Sequence, residues 1–284
     1  MICFPNAKIN IGLRLLSKRE DGFHNIESIF FPINLCDILE ISKSKKNQSK
    51  KIKLNYFGNL QLINNNLCIK AYNLLDQDFD LPPIEVSLYK KIPIGSGLGG
   101  GSSNAVSMLK IINKFFKLNL NQNQLLKYCF KIGSDCPFFL FNKPSLVTGL
   151  GDVINSKINF NLKGYKLLLI FPNKFLSTKY IFKNIEDKNF LIEENKKKSD
   201  LFCKILNNDF PILLWKEILK NDLELTSMKF IPEIKKIKEN LYNMGAVYSS
   251  MSGSGSSVYG IFPKNINIKK PWINKYFHFT ENLD

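Results

Sequence analysis

A glycine-rich segment at residues 95–103 offers the clearest chemistry in this sequence of 284 residues. Five of its first seven residues are glycine, and the segment lies between a predicted strand and a predicted helix. Glycine lets the backbone adopt positive φ and has no Cβ to block a ligand, so successive N–H groups can surround an anion. The helix that begins near Ser103 adds unsatisfied N–H groups and the positive end of its dipole. Ser102 and Ser103 can offer hydroxyls to a phosphate or a magnesium ion.

Two interpretations of this segment remain open on residue types alone. It binds a triphosphate, or it is a tight turn that lets a helix pack on a sheet. It does not match the P-loop pattern, because no lysine precedes the serines, and it matches the dinucleotide fingerprint poorly, because no acidic residue follows about 20 residues later. The neighbouring motifs must therefore decide between the two interpretations.

The elements around the segment follow from the spacing of apolar residues. Residues 8–16 alternate between apolar and other side chains, which predicts a half-buried strand, and Asp21-Gly22 predicts a turn. Further strands are predicted at residues 26–31, 38–42, 138–141, 145–148 and 165–171, and one that begins at residue 84 and runs into Ile92-Pro93. A hairpin is predicted at residues 247–262. Helices are predicted at residues 65–75, from about residue 103, and at residues 121–132, 199–207, 211–219 and 232–244.

Strands and helices mix without strict βαβ alternation, so the predicted fold class is α+β. A change of composition near residue 160 indicates a second domain. The predicted domains are residues 1–155 and residues 156–284.

Composition excludes several other classes of protein. Apolar residues make up 44% of the chain, which is typical of a globular protein, and no apolar run approaches the roughly 20 residues of a membrane span. The six cysteines include no CxxC pair and there are two histidines, so no metal site is predicted and a reducing, cytoplasmic location is favoured. No secretory signal is visible at the N-terminus.

The net charge of +16 has two possible meanings. It can indicate nucleic-acid binding, but the lysines are spread along the chain. The densest runs, at residues 43–53 and 196–198, lack interleaved aromatic residues and are predicted to be surface loops. A positive field would instead attract an anionic nucleotide.

Three motifs together resemble the GHMP kinases (galactokinase, homoserine, mevalonate and phosphomevalonate kinases). Residues 93–104, Pro-Ile-Gly-Ser-Gly-Leu-Gly-Gly-Gly-Ser-Ser-Asn, resemble their ATP-binding motif. Residues 5–12, Pro-Asn-Ala-Lys-Ile-Asn-Ile-Gly, and residues 251–258, Met-Ser-Gly-Ser-Gly-Ser-Ser-Val, resemble two more motifs in the same order. The resemblance implies a two-domain α+β fold of mixed sheets and packed helices, with an active site in the cleft between an N-terminal ATP-binding domain and a C-terminal domain.

The same resemblance implies an ATP site and its counter-ion. ATP is the expected cosubstrate, and Mg²⁺ is the expected counter-ion of its phosphates. The residues implied to bind ATP are Pro93, Ile94, Gly95, Ser96, Gly97, Leu98, Gly99, Gly100, Gly101, Ser102 and Ser103.

Details of three motifs resemble one family of GHMP kinases, whose members phosphorylate the 2-hydroxyl of a cytidine-diphosphate-linked methylerythritol on the non-mevalonate route to isoprenoid precursors. Residues 21–24, Asp-Gly-Phe-His, are similar to its Asp-Gly-Tyr-His, and the ATP motif has its three consecutive glycines. Residues 133–139, Gly-Ser-Asp-Cys-Pro-Phe-Phe, resemble its Gly-Ala-Asp-Val-Pro-Phe-Phe. A cytoplasmic enzyme, monomeric or homodimeric, is expected.

By this resemblance Lys8 and Asp135 are the catalytic pair. A carboxylate can accept the proton of the acceptor hydroxyl, although a loose phosphoryl-transfer transition state asks little of its base. Asp135 is therefore expected mainly to orient the hydroxyl, while the Lys8 ammonium keeps it ionised and offsets charge on the moving phosphoryl group. Without the motifs, Asp135 would be a turn residue and Lys8 a surface residue.

Six residues are implied to form the acceptor pocket. His24 has one donor and one acceptor, which can pair with a pyrimidine edge, and Phe23 can stack on the base. Phe23 replaces the family's usual tyrosine, so any hydrogen bond from a phenol is lost. A structural histidine is the alternative for His24. The implied set is Asn10, Phe23, His24, Phe30, Thr178 and Phe182.

Two other functions remain open. Another GHMP kinase, of the homoserine or mevalonate type, would share the ATP motif but not the Phe23-His24 pair. A non-catalytic, basic nucleic-acid-binding protein would bind with a steep dependence on salt.

Overall fold

A computed structural model of the chain describes residues 1–44, 51–58, 66–185, 202, 204–268 and 274–283. This part folds into two compact units. Unit 1 comprises Met1–Lys8, Pro32–Ile94 and Gly99–Lys143, and unit 2 comprises Ile9–Phe31, Gly95–Leu98 and Pro144–Asp284. Both units contain helices and mainly antiparallel sheets, which confirms the α+β class.

The secondary structure of the described residues is as follows. The strands are β1 (Ile2–Cys3), β2 (Asn6–Lys18), β3 (His24–Cys36), β4 (Ile38–Lys43), β5 (Ile52–Phe57), β6 (Ile84–Tyr89), β7 (Ser145–Gly149), β8 (Val153–Asn155), β9 (Tyr165–Phe171), β10 (Tyr248–Met251), β11 (Val258–Pro263) and β12 (Phe277–Leu283). The helices are α1 (Leu67–Phe79), α2 (Gly100–Phe115), α3 (Gln122–Ile132), α4 (Cys136–Phe141), α5 (Thr178–Lys183), α6 (Trp215–Ile218), α7 (Glu224–Phe230) and α8 (Glu233–Asn243), with a 3₁₀ turn at Ile212–Leu214.

Unit 1 contains a sheet of order β1-β4-β6-β5, in which β5 and β6 are parallel and the other neighbours are antiparallel. Strand β6 alternates as its sequence predicts, with Ile84, Val86 and Leu88 fully buried. Helices α1 to α4 belong to the same unit. Helix α3 begins with a capping box, in which Asn121 and Gln124 exchange side-chain and backbone hydrogen bonds.

Unit 2 contains a second sheet of order β10-β11-β9-β12, antiparallel throughout. Leu168 and Ile170 of β9 pack in one core with Ile234 and Ile237 of α8. The predicted hairpin at residues 247–262 is confirmed as β10 and β11, which places its glycine-rich turn at residues 252–257. A third sheet has the order β2-β3-β7-β8, and Ile26 to Phe30 of β3 pair with β7 within unit 2.

Strand β2 is confirmed, but the prediction of a half-buried strand is wrong. Its apolar residues are buried, and so are Lys8, Asn10 and Arg14, which are at most 6% exposed. The Arg14 guanidinium is paired with the Glu27 carboxylate at 2.6 Å. Polar side chains can occupy both faces of a buried strand when partners of this kind satisfy them.

The strand predicted at residues 138–141 is also wrong, because these residues lie in α4. Short apolar runs do not distinguish a strand from a buried helical turn. Here Asp135 is the N-cap and Pro137 lies in the first turn, a position that favours helix initiation.

Other boundaries differ in smaller ways. Helix α2 begins at Gly100, inside the glycine segment rather than after it, and the helix predicted at 211–219 is a 3₁₀ turn followed by the short α6. Strands β1, β5, β8 and β12 and helices α5 and α7 were not predicted.

Some predictions lie partly or wholly outside the described residues. They are residue 65 of the first predicted helix, residues 199–201 and 203 of the helix predicted at 199–207, and the lysines at 196–198 and in 45–50. Residues 204–206 of the helix predicted at 199–207 are described and are helical. The predicted domain boundary at residues 155 and 156 stays a prediction. No helix in the described ranges is long and apolar enough to cross a membrane.

Candidate active site

The glycine segment adopts the backbone that its composition predicts. Gly95, Gly97 and Gly99 have φ of +60°, +79° and +69°, all in the left-handed region where other residues are strained. Gly99 is the N-cap of α2, and Ser103 N–H donates to Gly99 O at 2.9 Å. The N–H groups of Gly100, Gly101 and Ser102 come before this first bond within the helix.

The N-terminus of α2 suits an anion. Its first turn consists of Gly100, Gly101, Ser102 and Ser103, which are all uncharged, so the positive end of the helix dipole is not offset within that turn. Gly101 is exposed and Ser102 is partly exposed. The backbone N–H groups of such a terminus can surround a phosphate group.

Within unit 2, the glycine hairpin at residues 252–257 binds the carbonyl groups of the glycine segment. Ser252 Oγ donates to Gly97 O at 2.9 Å, and Ser257 N–H donates to Ser96 O at 3.1 Å. A Cβ on Gly97 would lie 2.0 Å from Ser252 O, so the two backbones touch. The third sequence motif thus fixes the backbone of the second, a role that the sequence did not reveal.

Lys8 and Asp135 come together within unit 1, with Lys8 Nζ 3.5 Å from Asp135 Oδ2. The Lys8 side chain is 4% exposed and that of Asp135 is 30% exposed. Burial lowers the pKa of the Lys8 ammonium, and the Asp135 charge and hydrogen bond oppose that shift. Lys8 Cε also lies 3.2 Å from the position that a Cβ on Gly99 would take, so the pair sits beside the start of α2.

Helix α4 presents the Asp135 carboxylate at its first turn. Within the described residues the Asp135 side chain does not cap α4, so the carboxylate stays directed to other groups. Cys136, the next residue, has its Sγ 4.0 Å from Ser102 O in α2. Burial raises the pKa of the Cys136 thiol to about 12, which makes it a structural residue rather than a nucleophile.

His24 and Phe182 are neighbours within unit 2. Their ring centroids are 5.6 Å apart with a tilt of 36°, and His24 is 9% exposed. Phe23 precedes His24 and is 63% exposed. Asp21 fixes this turn, because its Oδ1 accepts the Phe23 N–H at 3.1 Å. The motif Asp-Gly-Phe-His therefore combines a turn-forming carboxylate with an exposed ring and a buried imidazole.

The three other predicted pocket residues differ in exposure. Thr178 is exposed, and its Oγ1 lies 2.8 Å from Ser254 Oγ of the glycine hairpin. Asn10 is 1% exposed, and its Nδ2 donates to Ser28 Oγ at 3.1 Å. Phe30 is 1% exposed in the interior of β3. Burial of this extent is typical of structural residues, and the place of Asn10 and Phe30 in a ligand pocket stays a prediction.

Asn221 is a site residue that sequence reasoning missed. It is 3% exposed, and its Nδ2 donates to Met251 O and to Gly253 O, both at 2.8 Å. It therefore holds the glycine hairpin from the side of α7. Asn221 lies in none of the three motifs, and a single Asn before a short helix carries no distinctive sequence signal.

Comparison with known proteins agrees with this geometry. A family model for the GHMP kinases N terminal domain matches residues 66–143, and one for the GHMP kinases C terminal domain matches residues 205–276. The fold resembles that of a mevalonate kinase from Methanococcus jannaschii, with a TM-score of 0.76 and 17% identity over 100% of this chain and 98% of the other. The fold and the glycine segment define an ATP-dependent GHMP kinase.

Relatives of higher sequence identity indicate which kind of GHMP kinase the chain is. A protein from Bacteroides thetaiotaomicron named 4-diphosphocytidyl-2-C-methyl-D-erythritol kinase is 46% identical over 100% of both chains. The crystal structure of a 4-(cytidine 5'-diphospho)-2C-methyl-D-erythritol kinase matches with a TM-score of 0.70 and 25% identity, over 92% of this chain and 89% of the other. The chain belongs to the 4-diphosphocytidyl-2-C-methyl-D-erythritol kinase family.

The contact between Gly97 and Ser252 gives a stability prediction. Gly97→Ala would place a Cβ 2.0 Å from Ser252 O at a φ of +79°, and an alanine at such φ alone costs about 1–2 kcal/mol. We expect the free energy of unfolding in urea to fall by at least this amount. Gly101→Ala is the matched control, because its Cβ would meet Leu67 Cδ1 at 3.7 Å and alanine favours a helix by about 1 kcal/mol. Equal stability of the two variants would contradict the contact.

Proposed function

We propose that this chain transfers the γ-phosphate of ATP to the 2-hydroxyl of 4-diphosphocytidyl-2-C-methyl-D-erythritol, a step of the non-mevalonate route to isoprenoid precursors. The observation that carries the reaction type is the Lys8–Asp135 pair at 3.5 Å beside Gly99, the N-cap of α2. Family membership supports the acceptor, since the relatives named above carry the name of this kinase.

ATP binds in this proposal through the segment of residues 93–103. The positive φ of its glycines leaves room for phosphate oxygens close to the backbone. The first turn of α2 provides amide donors and the serine hydroxyls of Ser102 and Ser103. Catalysis of phosphoryl transfer depends almost entirely on such positioning and charge stabilisation.

Asp135 accepts or orients the proton of the acceptor hydroxyl. Its partly exposed carboxylate is accessible to a ligand, whereas Lys8 is buried behind it. The Lys8 ammonium pairs with the Asp135 carboxylate and offsets the negative charge that develops on the transferred phosphoryl group. The lowered pKa of Lys8 shows that burial opposes this charge, and Asp135 is the partner that stabilises it.

Mg²⁺ fits this site as a companion of ATP. Among the described residues, no group of three or more His, Cys, Asp or Glu side chains could hold a metal ion. Mg²⁺ commonly keeps several waters and binds through nucleotide phosphates with one or two protein ligands. The hydroxyls of Ser102 and Ser103 and the Asp135 carboxylate are the hard oxygen donors that would hold it, and it would neutralise charge on the phosphates.

In this proposal His24, Phe23 and Phe182 bind the cytidine part of the acceptor. The exposed Phe23 ring offers a stacking surface, and the His24 imidazole packs beside Phe182. Stacking of a base on an aromatic ring contributes about 1–3 kcal/mol. Asn10, Phe30 and Thr178 complete the proposed pocket.

Assembly and location form part of the proposal. The proposed protein is a monomer or a homodimer. All the residues of the proposed site come from one chain, so either assembly state would contain a whole site. The cytoplasm is the proposed location, supported by six cysteines without a CxxC pair.

The acceptor is tested directly. Purified protein is incubated with ATP and Mg²⁺ and with one of three alcohols: the cytidylyl methylerythritol, mevalonate or homoserine. We expect phosphate transfer to the cytidylyl compound alone, because only that acceptor offers a pyrimidine to His24. Transfer to mevalonate or homoserine without transfer to the cytidylyl compound would refute the proposed acceptor.

Asp135→Ala separates catalysis from ATP binding. Loss of a positioned acid–base group lowers rate by about 10²–10⁴-fold, so we expect kcat to fall in this range while the KM for ATP stays nearly unchanged. Ser134→Ala, at the exposed neighbouring position, is the matched control and should keep wild-type kcat. A wild-type kcat in Asp135→Ala would refute the catalytic role of Asp135, whereas a non-catalytic, nucleic-acid-binding protein would show no phosphate transfer even as wild type and would bind with a steep dependence on salt.

His24→Ala tests base recognition. Loss of buried hydrogen-bonding groups costs about 1–3 kcal/mol, so we expect the KM for the cytidylyl acceptor to rise about 5- to 150-fold. The KM for ATP should change far less. His278→Ala replaces the other histidine of the chain, on β12, and serves as the control. Equal increases in both KM values at position 24 would argue against cytosine recognition.

A further inference from the structure

A buried carboxylate in unit 1 binds both flanks of the glycine segment. Asp37 lies between β3 and β4 and is 0% exposed. Its Oδ1 accepts the backbone N–H groups of Lys91 and Ile92, both at 2.8 Å. Its Oδ2 accepts the Lys90 ammonium and, at 2.9 Å, the amide Nδ2 of Asn104. One side chain therefore joins the backbone before the segment to helix α2 after it.

The two flanks are also in direct contact with each other. Lys90 Nζ donates to Asn104 Oδ1 at 3.0 Å. A Cβ on Gly100 would lie 2.8 Å from Ile92 Cγ2 and 3.2 Å from Lys90 Nζ, so the start of α2 rests on the backbone that leads into the segment. Asp37, Lys90 and Asn104 thus determine the separation of the two ends.

The hydrogen-bonding capacity of Asp37 is fully used. An ionised carboxylate accepts about four hydrogen bonds, and four donors surround this one. Burying a charge is costly unless it is paired and hydrogen-bonded, and an apolar cluster could fill the same volume. The carboxylate instead makes directional bonds to the two flanks, which an apolar residue cannot make.

We propose that Asp37 is a positioning residue for ATP binding, which sets the direction of the phosphate-binding amides by fixing both ends of residues 93–99. Three glycines at positive φ make that segment permissive to many conformations. Its geometry therefore depends on its anchored ends as well as on the hydrogen bonds that its carbonyls accept from Ser252 and Ser257. Errors of about 1 Å in positioning can cost about 10²-fold in rate. The inference rests on the proposed function, because it assumes that the segment binds ATP.

Asp37→Asn and Asn104→Ala test this role. In Asp37→Asn an NH₂ group would face the donors Lys90 and Asn104, while the oxygen that accepts Lys91 and Ile92 remains. Asn104→Ala keeps the ion pair of Asp37 with Lys90 and removes the two bonds that Asn104 of α2 makes to Asp37 and to Lys90, so it is the milder variant. We expect the Kd for a non-hydrolysable ATP analogue to rise about tenfold or more in Asp37→Asn and about threefold in Asn104→Ala, with the KM for the cytidylyl acceptor within about twofold of wild type.

Tyr72→Phe is the control for simple loss of stability in the same unit. Tyr72 is fully buried in α1, and its hydroxyl donates to Pro82 O at 3.0 Å, away from the glycine segment. It should lower the melting temperature without changing the Kd for the analogue. Wild-type analogue affinity in both Asp37→Asn and Asn104→Ala would overturn the positioning role and leave the proposed function intact. Failure of the wild-type protein to bind the analogue would overturn both.

Discussion

The proposed chemistry depends on the buried ammonium of Lys8. Removing an ammonium from water is unfavourable, and the lowered pKa of Lys8 records that penalty. Asp135, at 3.5 Å, is the group that offsets it. The pair is asymmetric, since Lys8 is nearly inaccessible whereas Asp135 keeps 30% of its side chain exposed. A charge pair of this form stabilises the fold poorly but leaves one carboxylate accessible beside the amides of α2.

Those amides are useful only because the neighbouring carbonyls are bound elsewhere. In unit 2, Ser252 and Ser257 donate to the carbonyls of Gly97 and Ser96. A backbone segment whose carbonyls are held on one side presents its N–H groups on the other, which is the property of an anion-binding nest. The two glycine-rich motifs therefore act together: the glycine hairpin orients the glycine segment, and Asn221 holds the glycine hairpin.

Sequence reasoning predicted most of the fold where local patterns decide it. Alternation predicted β6, a continuous apolar run predicted β9, and the pattern of residues 121–132 predicted α3, which begins with a capping box. Reasoning failed at residues 138–141, where four apolar residues fit a strand or a helix, and at β2, where buried polar residues occupy the face predicted to meet solvent. Both errors arise because tertiary partners, rather than local spacing, determine the outcome.

The residues of the candidate site also fall into those that the sequence predicted and those that it did not. Motif residues such as Lys8 and Asp135 were predicted from resemblance, and the structure brings them together. Asp37 and Asn221 were missed because each acts on backbone groups distant in the chain, and an isolated Asp or Asn gives no signal of that. Asp37 lies 54 and 55 residues from the two amides that it accepts. Long-range side-chain to backbone bonds of this kind become visible only in the folded chain.

Recognition of the acceptor must come from side chains rather than from the fold. The chain matches a mevalonate kinase with a TM-score of 0.76 at 17% identity and a cytidylyl methylerythritol kinase with 0.70 at 25% identity. A shared fold thus occurs in kinases that are named for different acceptors. The His24–Phe182 contact and the exposed Phe23 supply groups suited to a pyrimidine. Under the proposed function, specificity depends on these polar and aromatic groups, which a smaller alcohol would leave unpaired.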